Sequence, residues 1–69
     1  MKKFVVLFEK SNDGYAAYVP DLPGCVAIGD TKDEAEELIY DAIKFHIEGL
    51  ENEGESIPQT ITDSEIVVI

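Results

Sequence analysis

The chain has 69 residues, with 15 acidic side chains, 5 lysines and a formal net charge of −10 at pH 7. This acidic balance argues against direct nucleic-acid binding, which needs basic patches that contact phosphate. A single cysteine excludes an internal disulfide, and one cysteine with one histidine is not a zinc set. No apolar run approaches the roughly 20 residues of a membrane span. We therefore expect a cytoplasmic protein with a single domain over residues 1–69, without a cofactor.

The first predicted element is a strand in "KKFVVLFEK", residues Lys2–Lys10, which is rich in β-branched and aromatic side chains. Its apolar run from Phe4 to Phe8 gives both faces apolar side chains. That pattern is typical of a central strand covered on both sides.

Turn chemistry follows in "SNDG", and "YAAYV" (Tyr15–Val19) is predicted to return as the second strand. The segment "PDLPG" then turns a corner, because each proline fixes its own φ and restricts the residue before it. "CVAI" (Cys25–Ile28) is the third predicted strand, which completes an antiparallel meander. We interpret "PDLPGC" as a corner of the scaffold, with Asp21 exposed and Gly24 and Gly29 supplying backbone freedom to the turns.

A long amphipathic helix is predicted to begin at Thr31, where "TKDE" has the spacing of a capping box between Thr31 and Glu34. Apolar residues then recur at helical spacing over about twenty residues, to an end near Gly54. "EIVVI" (Glu65–Ile69) is predicted as a fourth strand. Crossover rules favour its lying parallel to strand 1 in the same sheet.

The predicted fold is therefore α+β with the order β-β-β-α-β, the partial arrangement of a ribonuclease-H-like fold. One helix can cover only one face of the sheet, and an uncovered apolar face is an interaction surface. A domain this small is also marginally stable and commonly needs a partner. We expect a homodimer or higher homo-oligomer that uses the apolar face of Val5, Leu7, Ala16 and Tyr18.

Catalysis receives little support from the sequence. A two-metal nuclease of this fold needs a carboxylate in the middle of the first strand, where Val5, Val6 and Leu7 stand instead. A nucleophilic Cys25 would need a base, and His46 lies on the apolar stripe of the helix. The favoured interpretation is that both side chains pack in the core. We expect no catalytic residue and no metal site.

The outer face of the helix is strongly acidic. Like charges at i, i+4 destabilise a helix slightly, which suggests that the charge serves a function other than folding. A basic protein partner is one interpretation, and a merely solvated face is the other. The residues predicted to bind a partner are Asp33, Glu37, Asp41 and Glu48 on the helix, together with Asp21 in the corner.

Taken together, "YVPDLPGC", "GDT", "DEAEE", "AIKFHIEGL" and "GESIP" resemble the HicB-like antitoxins, over Lys3 to Pro58 and the last strand. The resemblance implies the partial ribonuclease-H fold and a role in a type II toxin–antitoxin system. The antitoxin would neutralise a small basic, RNA-cleaving toxin of the HicA kind by occluding its RNA-binding surface.

Many family members continue into a C-terminal DNA-binding segment. No basic segment follows the last predicted strand, so we expect a short form without that segment. Two other functions stay open at this stage. One is a stand-alone homo-oligomeric module that binds another protein, and the other is a degenerate ribonuclease-H-like nuclease.

Overall fold

Three antiparallel strands and one long helix form the regular structure of this computed structural model, which describes residues 2–69. The elements are β1 (Leu7–Ser11), β2 (Gly14–Tyr18), β3 (Val26–Gly29) and α1 (Lys32–Asn52). The strands lie in the order β1-β2-β3, and both pairings are antiparallel. The predicted meander followed by one long helix, and the α+β class, are confirmed.

The first strand is shorter than predicted and lies at the edge of the sheet. Residues 2–6 have no regular structure, and β2 is the central strand. The prediction of a central first strand covered on both sides was wrong, because β1 pairs only with β2 among residues 2–69 and its two faces have different surroundings. Phe4, Val6 and Phe8 pack against the core, whereas the alternate Leu7 faces the opposite side of the sheet.

The fourth strand does not form in the part of the chain that the structure describes. Residues 65–69 are exposed and irregular, so nothing pairs with β1 in parallel. The chain before them is tied elsewhere. The Thr60 hydroxyl donates to the carbonyl oxygen of Lys3, and Thr62 binds Asp21. Asp21 follows β2, so these contacts tie the segment after α1 to the residues before β1 and to the corner after β2.

Helix α1 has the predicted ends. The Thr31 side chain accepts a hydrogen bond from the backbone N–H of Glu34 at 3.1 Å, and the Glu34 carboxylate accepts from the N–H of Asp30 at 3.1 Å. The reciprocal bond therefore reaches one residue before the cap rather than the cap itself. At the other end, the N–H of Glu55 donates to the carbonyl of Leu50 at 2.9 Å, which closes the last turn as in a Schellman motif.

The core lies between the corner after β2, the sheet and the first half of α1. Helix α1 packs on β2 and β3, and alternation along the strands turns every second side chain toward it. Gly29 is required here by close packing rather than by a turn, since a Cβ on it would lie 2.6 Å from the backbone nitrogen of Ala35. The buried core residues are Ala17, Val19, Leu22, Cys25, Ala35 and Ile39.

Candidate functional site

The predicted acidic residues of the helix lie on one side of α1. Asp33, Glu37, Asp41 and Glu48 are all exposed on α1. At 100° per residue they fall within about 80° of the helix circumference, and at 1.5 Å per residue they span about 22 Å along the axis. The buried Ala35 and Ile39 point to the opposite side. The stripe therefore faces solvent along almost the whole helix, and we call it the acidic stripe.

One lysine interrupts the acidic stripe. Lys44 falls between Asp41 and Glu48 on the helix surface, but its ammonium lies 5.3 Å from the ring centroid of Tyr40. This cation–π contact draws the positive charge to the flank of the stripe. The carboxylates thus keep a strongly negative surface that is open to a cationic partner.

An exposed aromatic side chain beside the acidic stripe was missed by the sequence reasoning. Phe45 is 79% exposed, and it lies one turn from both Asp41 and Glu48 because it is four and three residues away from them. A large apolar ring set among charges is typical of the anchors that dominate protein interfaces. The sequence did hold a signal for this exposure. Phe45 falls just outside the apolar stripe of the helix, next to the half-buried His46.

Asp21 lies apart from the acidic stripe and has an intramolecular partner. It is half-buried rather than exposed, and its two carboxylate oxygens accept from the backbone N–H and the hydroxyl of Thr62 at 3.2 and 2.9 Å. Asp21 therefore holds the chain that follows α1. The structure does not bring it together with Asp33, Glu37, Asp41 and Glu48.

The corner that carries Asp21 is built as a scaffold. The N–H of Leu22 donates to the carbonyl of Val19 at 3.1 Å, and the N–H of Cys25 donates to that of Leu22 at 3.0 Å. Pro23 and Gly24 are the central residues of the second turn, and Gly24 has φ +82° as a type II turn requires. Two turns in succession thus bury the Leu22 side chain completely. This geometry supports the scaffold interpretation of "PDLPGC".

The surroundings of Cys25 do not suit a nucleophilic cysteine. The side chain is buried in the core, and desolvation by burial raises the pKa of its thiol. An activated cysteine needs the opposite shift, toward the thiolate. Among residues 2–69, no group of three His, Cys, Asp or Glu side chains is close enough to hold a metal ion. The same residues contain no helix that is long and apolar enough to span a bilayer.

The face of the sheet opposite α1 is apolar and open. The register aligns Leu7 with Tyr18 and Tyr18 with Val26, and it aligns Ala16 with Ile28. Val26 and Ile28 are 55% and 73% exposed. The predicted dimer residues of the strands therefore share one surface, which we call the open sheet face: Leu7, Ala16, Tyr18, Val26 and Ile28. Val5, also predicted, is half-buried in the irregular segment before β1.

Comparison with known proteins agrees with this architecture. A family model described as a HicB-like antitoxin of bacterial toxin–antitoxin systems matches residues 4–67. Among solved structures, the chain resembles a chain of the HicA3 and HicB3 toxin–antitoxin complex with a TM-score of 0.70 and 32% identity. That match covers 87% of this chain and 70% of the other.

Two curated relatives are similar in sequence. An uncharacterized 14.9 kDa protein of Haemophilus phage HP1 is 46% identical over 57 residues, which cover 83% of this chain and 43% of the relative. The chain thus matches less than half the length of that phage protein. A UPF0150 protein of Thermoplasma acidophilum is 45% identical over 58 residues, which cover 83% of this chain and 84% of the relative. With the family model matching nearly all of the described residues, the chain belongs to the HicB-like antitoxin family of bacterial toxin–antitoxin systems.

Proposed function

We propose that this protein neutralises a small, basic, RNA-cleaving toxin of the HicA kind by covering its RNA-binding surface. The observation that carries the proposal is the acidic stripe on α1. A protein that binds RNA presents lysine and arginine side chains to phosphates. A rigid helix that spaces carboxylates over about 22 Å offers such a surface a competing partner.

The acidic stripe would raise the rate of association with the toxin more than the affinity of the complex. Rim charges chiefly raise the association rate, whereas desolvated aromatic anchors supply most of the affinity. Phe45 is such an anchor in our proposal, because it is 79% exposed and adjoins Asp41 and Glu48. The toxin would thus be steered by the carboxylates and held by the ring.

Inhibition in this proposal needs binding alone. The buried thiol of Cys25 has a raised pKa and is unsuited to attack. The protein therefore acts without turnover, by occupying a surface. We place it in the cytoplasm, where its RNA-cleaving target acts.

We further propose that the open sheet face joins two copies of this chain. Two chains that each carry −10 repel one another, so they associate best through a surface poor in charge. Glu9 is the one charged residue in the aligned rows of that face, whereas the helix side carries the acidic stripe. A dimer joined in this way leaves both stripes free for toxin. An Ile28→Lys variant should sediment as a smaller species than the unchanged chain.

The toxin-binding proposal is tested by capture from the native lysate with the tagged chain at low and high salt. We expect recovery of a small basic protein that cleaves RNA when released, that is silenced when the chain is added back, and that is lost at high salt. A triple variant, Asp33→Lys, Glu37→Lys and Asp41→Lys, should capture none of it.

A second triple variant controls for net charge. Asp13→Lys, Glu55→Lys and Glu65→Lys change the net charge by the same amount at exposed positions away from the stripe. This variant should still capture the toxin. Equal losses in both variants would mean that overall charge, and not the stripe, governs binding. Recovery of the chain alone would favour a homo-oligomeric module without a toxin, and metal-dependent RNA cleavage by the chain itself would favour a nuclease.

A further inference from the structure

Helix α1 carries an exposed apolar face between the acidic stripe and the core. Leu38 and Phe45 are 43% and 79% exposed, and Gly49 is exposed one turn further along the helix. At 100° per residue, these three residues fall within about 40° of the helix circumference, and they span about 17 Å along the axis. We call this surface the Phe45 face: Leu38, Phe45 and Gly49. It therefore runs beside the acidic stripe over about three turns of α1.

Gly49 has no role in the fold of its own chain. It lies inside α1, where glycine is less favourable than alanine because it loses more backbone freedom on folding. Among residues 2–69, positive φ angles occur only at Gly14, Gly24 and Gly54. A Cβ added to Gly49 would have no atom within 4 Å. Neither backbone conformation nor internal packing requires a glycine here, but a glycine on an exposed helix surface lets another backbone approach closely.

The two lysines of α1 are held away from the Phe45 face. The ammonium of Lys32 lies 5.1 Å from the ring centroid of Phe8 on β1, and that of Lys44 lies 5.3 Å from the ring centroid of Tyr40. Tyr40 is about 140° around the helix from Phe45. The Phe45 face therefore has no cation of α1 beside it.

The carboxylates beside the Phe45 face set the charge of its partner. Asp41 and Glu48 each lie one turn from Phe45, and they are about 10 Å apart along the helix axis. A second copy of this chain is a poor occupant, because the same face of that copy would bring like carboxylates against these. Two basic side chains seven residues apart on a partner helix have the matching separation, since seven residues rise by about 10 Å.

The Phe45 face suits a helix better than an extended strand. The backbone N–H and C=O groups inside α1 are bonded within the helix. The face therefore offers side-chain packing and no free backbone edge to which a strand could add. Packed helices lie about 8–10 Å apart, and Gly49 leaves room for such an approach beside the ring of Phe45.

We infer that the Phe45 face binds a basic amphipathic helix of a partner protein. The apolar side chains of that helix, three and four residues apart, pack on Leu38 and Phe45 and over Gly49. Two of its lysine or arginine side chains, seven residues apart, meet Asp41 and Glu48. That this helix belongs to the toxin rests on the proposed function, whereas the chemistry of the Phe45 face does not.

The chemistry of the partner is tested first with a synthetic probe. A stapled helical peptide of about four turns carries leucines three and four residues apart and arginines seven residues apart. A second stapled peptide has the same composition in scrambled order. In an NMR titration, the patterned peptide should shift the amide signals of Leu38, Phe45 and Gly49, and it should bind about tenfold more tightly than the scrambled peptide. Equal affinities, or shifts confined to the open sheet face, would overturn the inference.

A variant at Gly49 separates binding from folding. Gly49→Leu should raise the Tm, because leucine favours a helix and an added Cβ meets open space. It should nevertheless weaken binding of the patterned peptide about tenfold, because the new side chain holds the two helices apart. Tyr40→Leu is the matched control, since Tyr40 is 63% exposed on another side of α1 and its replacement should leave the affinity unchanged. Equal or tighter binding by Gly49→Leu would contradict the inference.

The captured toxin then identifies the segment that binds. Leu38→Cys and Gly49→Cys chains are labelled with a benzophenone maleimide, which spares the buried Cys25, and are cross-linked to the toxin by light. We expect the cross-linked toxin residues to be three, four or seven positions apart, as on one face of a helix. Residues two positions apart would indicate a strand and overturn the helical partner. Failure to capture any toxin would count against the proposed function alone, because the peptide titration decides the chemistry of the Phe45 face.

Discussion

The carboxylate of Asp21 accepts two hydrogen bonds from Thr62, a residue 41 positions further along the chain, at 2.9 and 3.2 Å. This contact joins the corner after β2 to the segment after α1. Because the hydroxyl bond goes to a charged acceptor in a half-buried place, we expect Thr62→Val to lower the free energy of unfolding by about 1 kcal/mol. Urea denaturation measures this loss. Ser64→Ala, at an exposed position on the same segment, should change the free energy of unfolding by no more than a few tenths of a kcal/mol.

The positive φ of Gly24 predicts opposite effects for two Gly→Ala changes. Neither residue has an atom within 4 Å of an added Cβ, so packing does not separate them. Gly24 has φ +82°, where alanine costs about 1–2 kcal/mol. Gly49 lies inside α1, where alanine gains about 0.5–1 kcal/mol. In thermal unfolding, Gly24→Ala should have a lower Tm than the unchanged chain, and Gly49→Ala should have a higher one. Loss of stability in both variants would contradict this account of the turn.

Burial of Cys25 makes stability depend on alkaline pH. Desolvation raises the thiol pKa above its ordinary value of 9.0. The Cys25 thiol therefore holds its proton more tightly in the folded chain than in the unfolded chain. The contribution of this thiol to the free energy of unfolding is fully present below pH 9 and is lost as the pH rises through the folded pKa. Urea denaturation between pH 8 and pH 10.5 should show a steeper decline for the unchanged chain than for Cys25→Ala, whereas parallel curves would contradict it.

Phe45 should matter for binding and little for folding. Its ring is 79% exposed, so Phe45→Ala should change the free energy of unfolding by no more than about 0.5 kcal/mol. If Phe45 anchors the interface, Phe45→Ala should weaken binding of the captured toxin by about 2 kcal/mol, or roughly thirtyfold in Kd. Titration calorimetry measures this. Tyr40→Ala, on the flank of the stripe that contacts Lys44, is the matched aromatic control and should cost clearly less.

The local features of this fold were readable from the sequence. The cap at Thr31, the end of α1 near Gly54 and the meander depend on residues within a few positions of one another. The acidic stripe was equally readable, because helical spacing alone places its carboxylates on one face. Interactions between residues a few positions apart, such as those of helix caps, are sufficient to predict such features.

Tertiary structure decided what distant segments do to one another. The apolar run of residues 4–8 is compatible with a central strand or with an edge strand, and only the order β1-β2-β3 selects the edge. "EIVVI" has strand propensity, but a strand needs a partner, and among residues 2–69 the sheet contains only β1, β2 and β3. The half-buried state of Asp21 depends on a residue 41 positions away. Sequence patterns therefore determined the elements and their faces, whereas long-range contacts decided which edges and surfaces stay open.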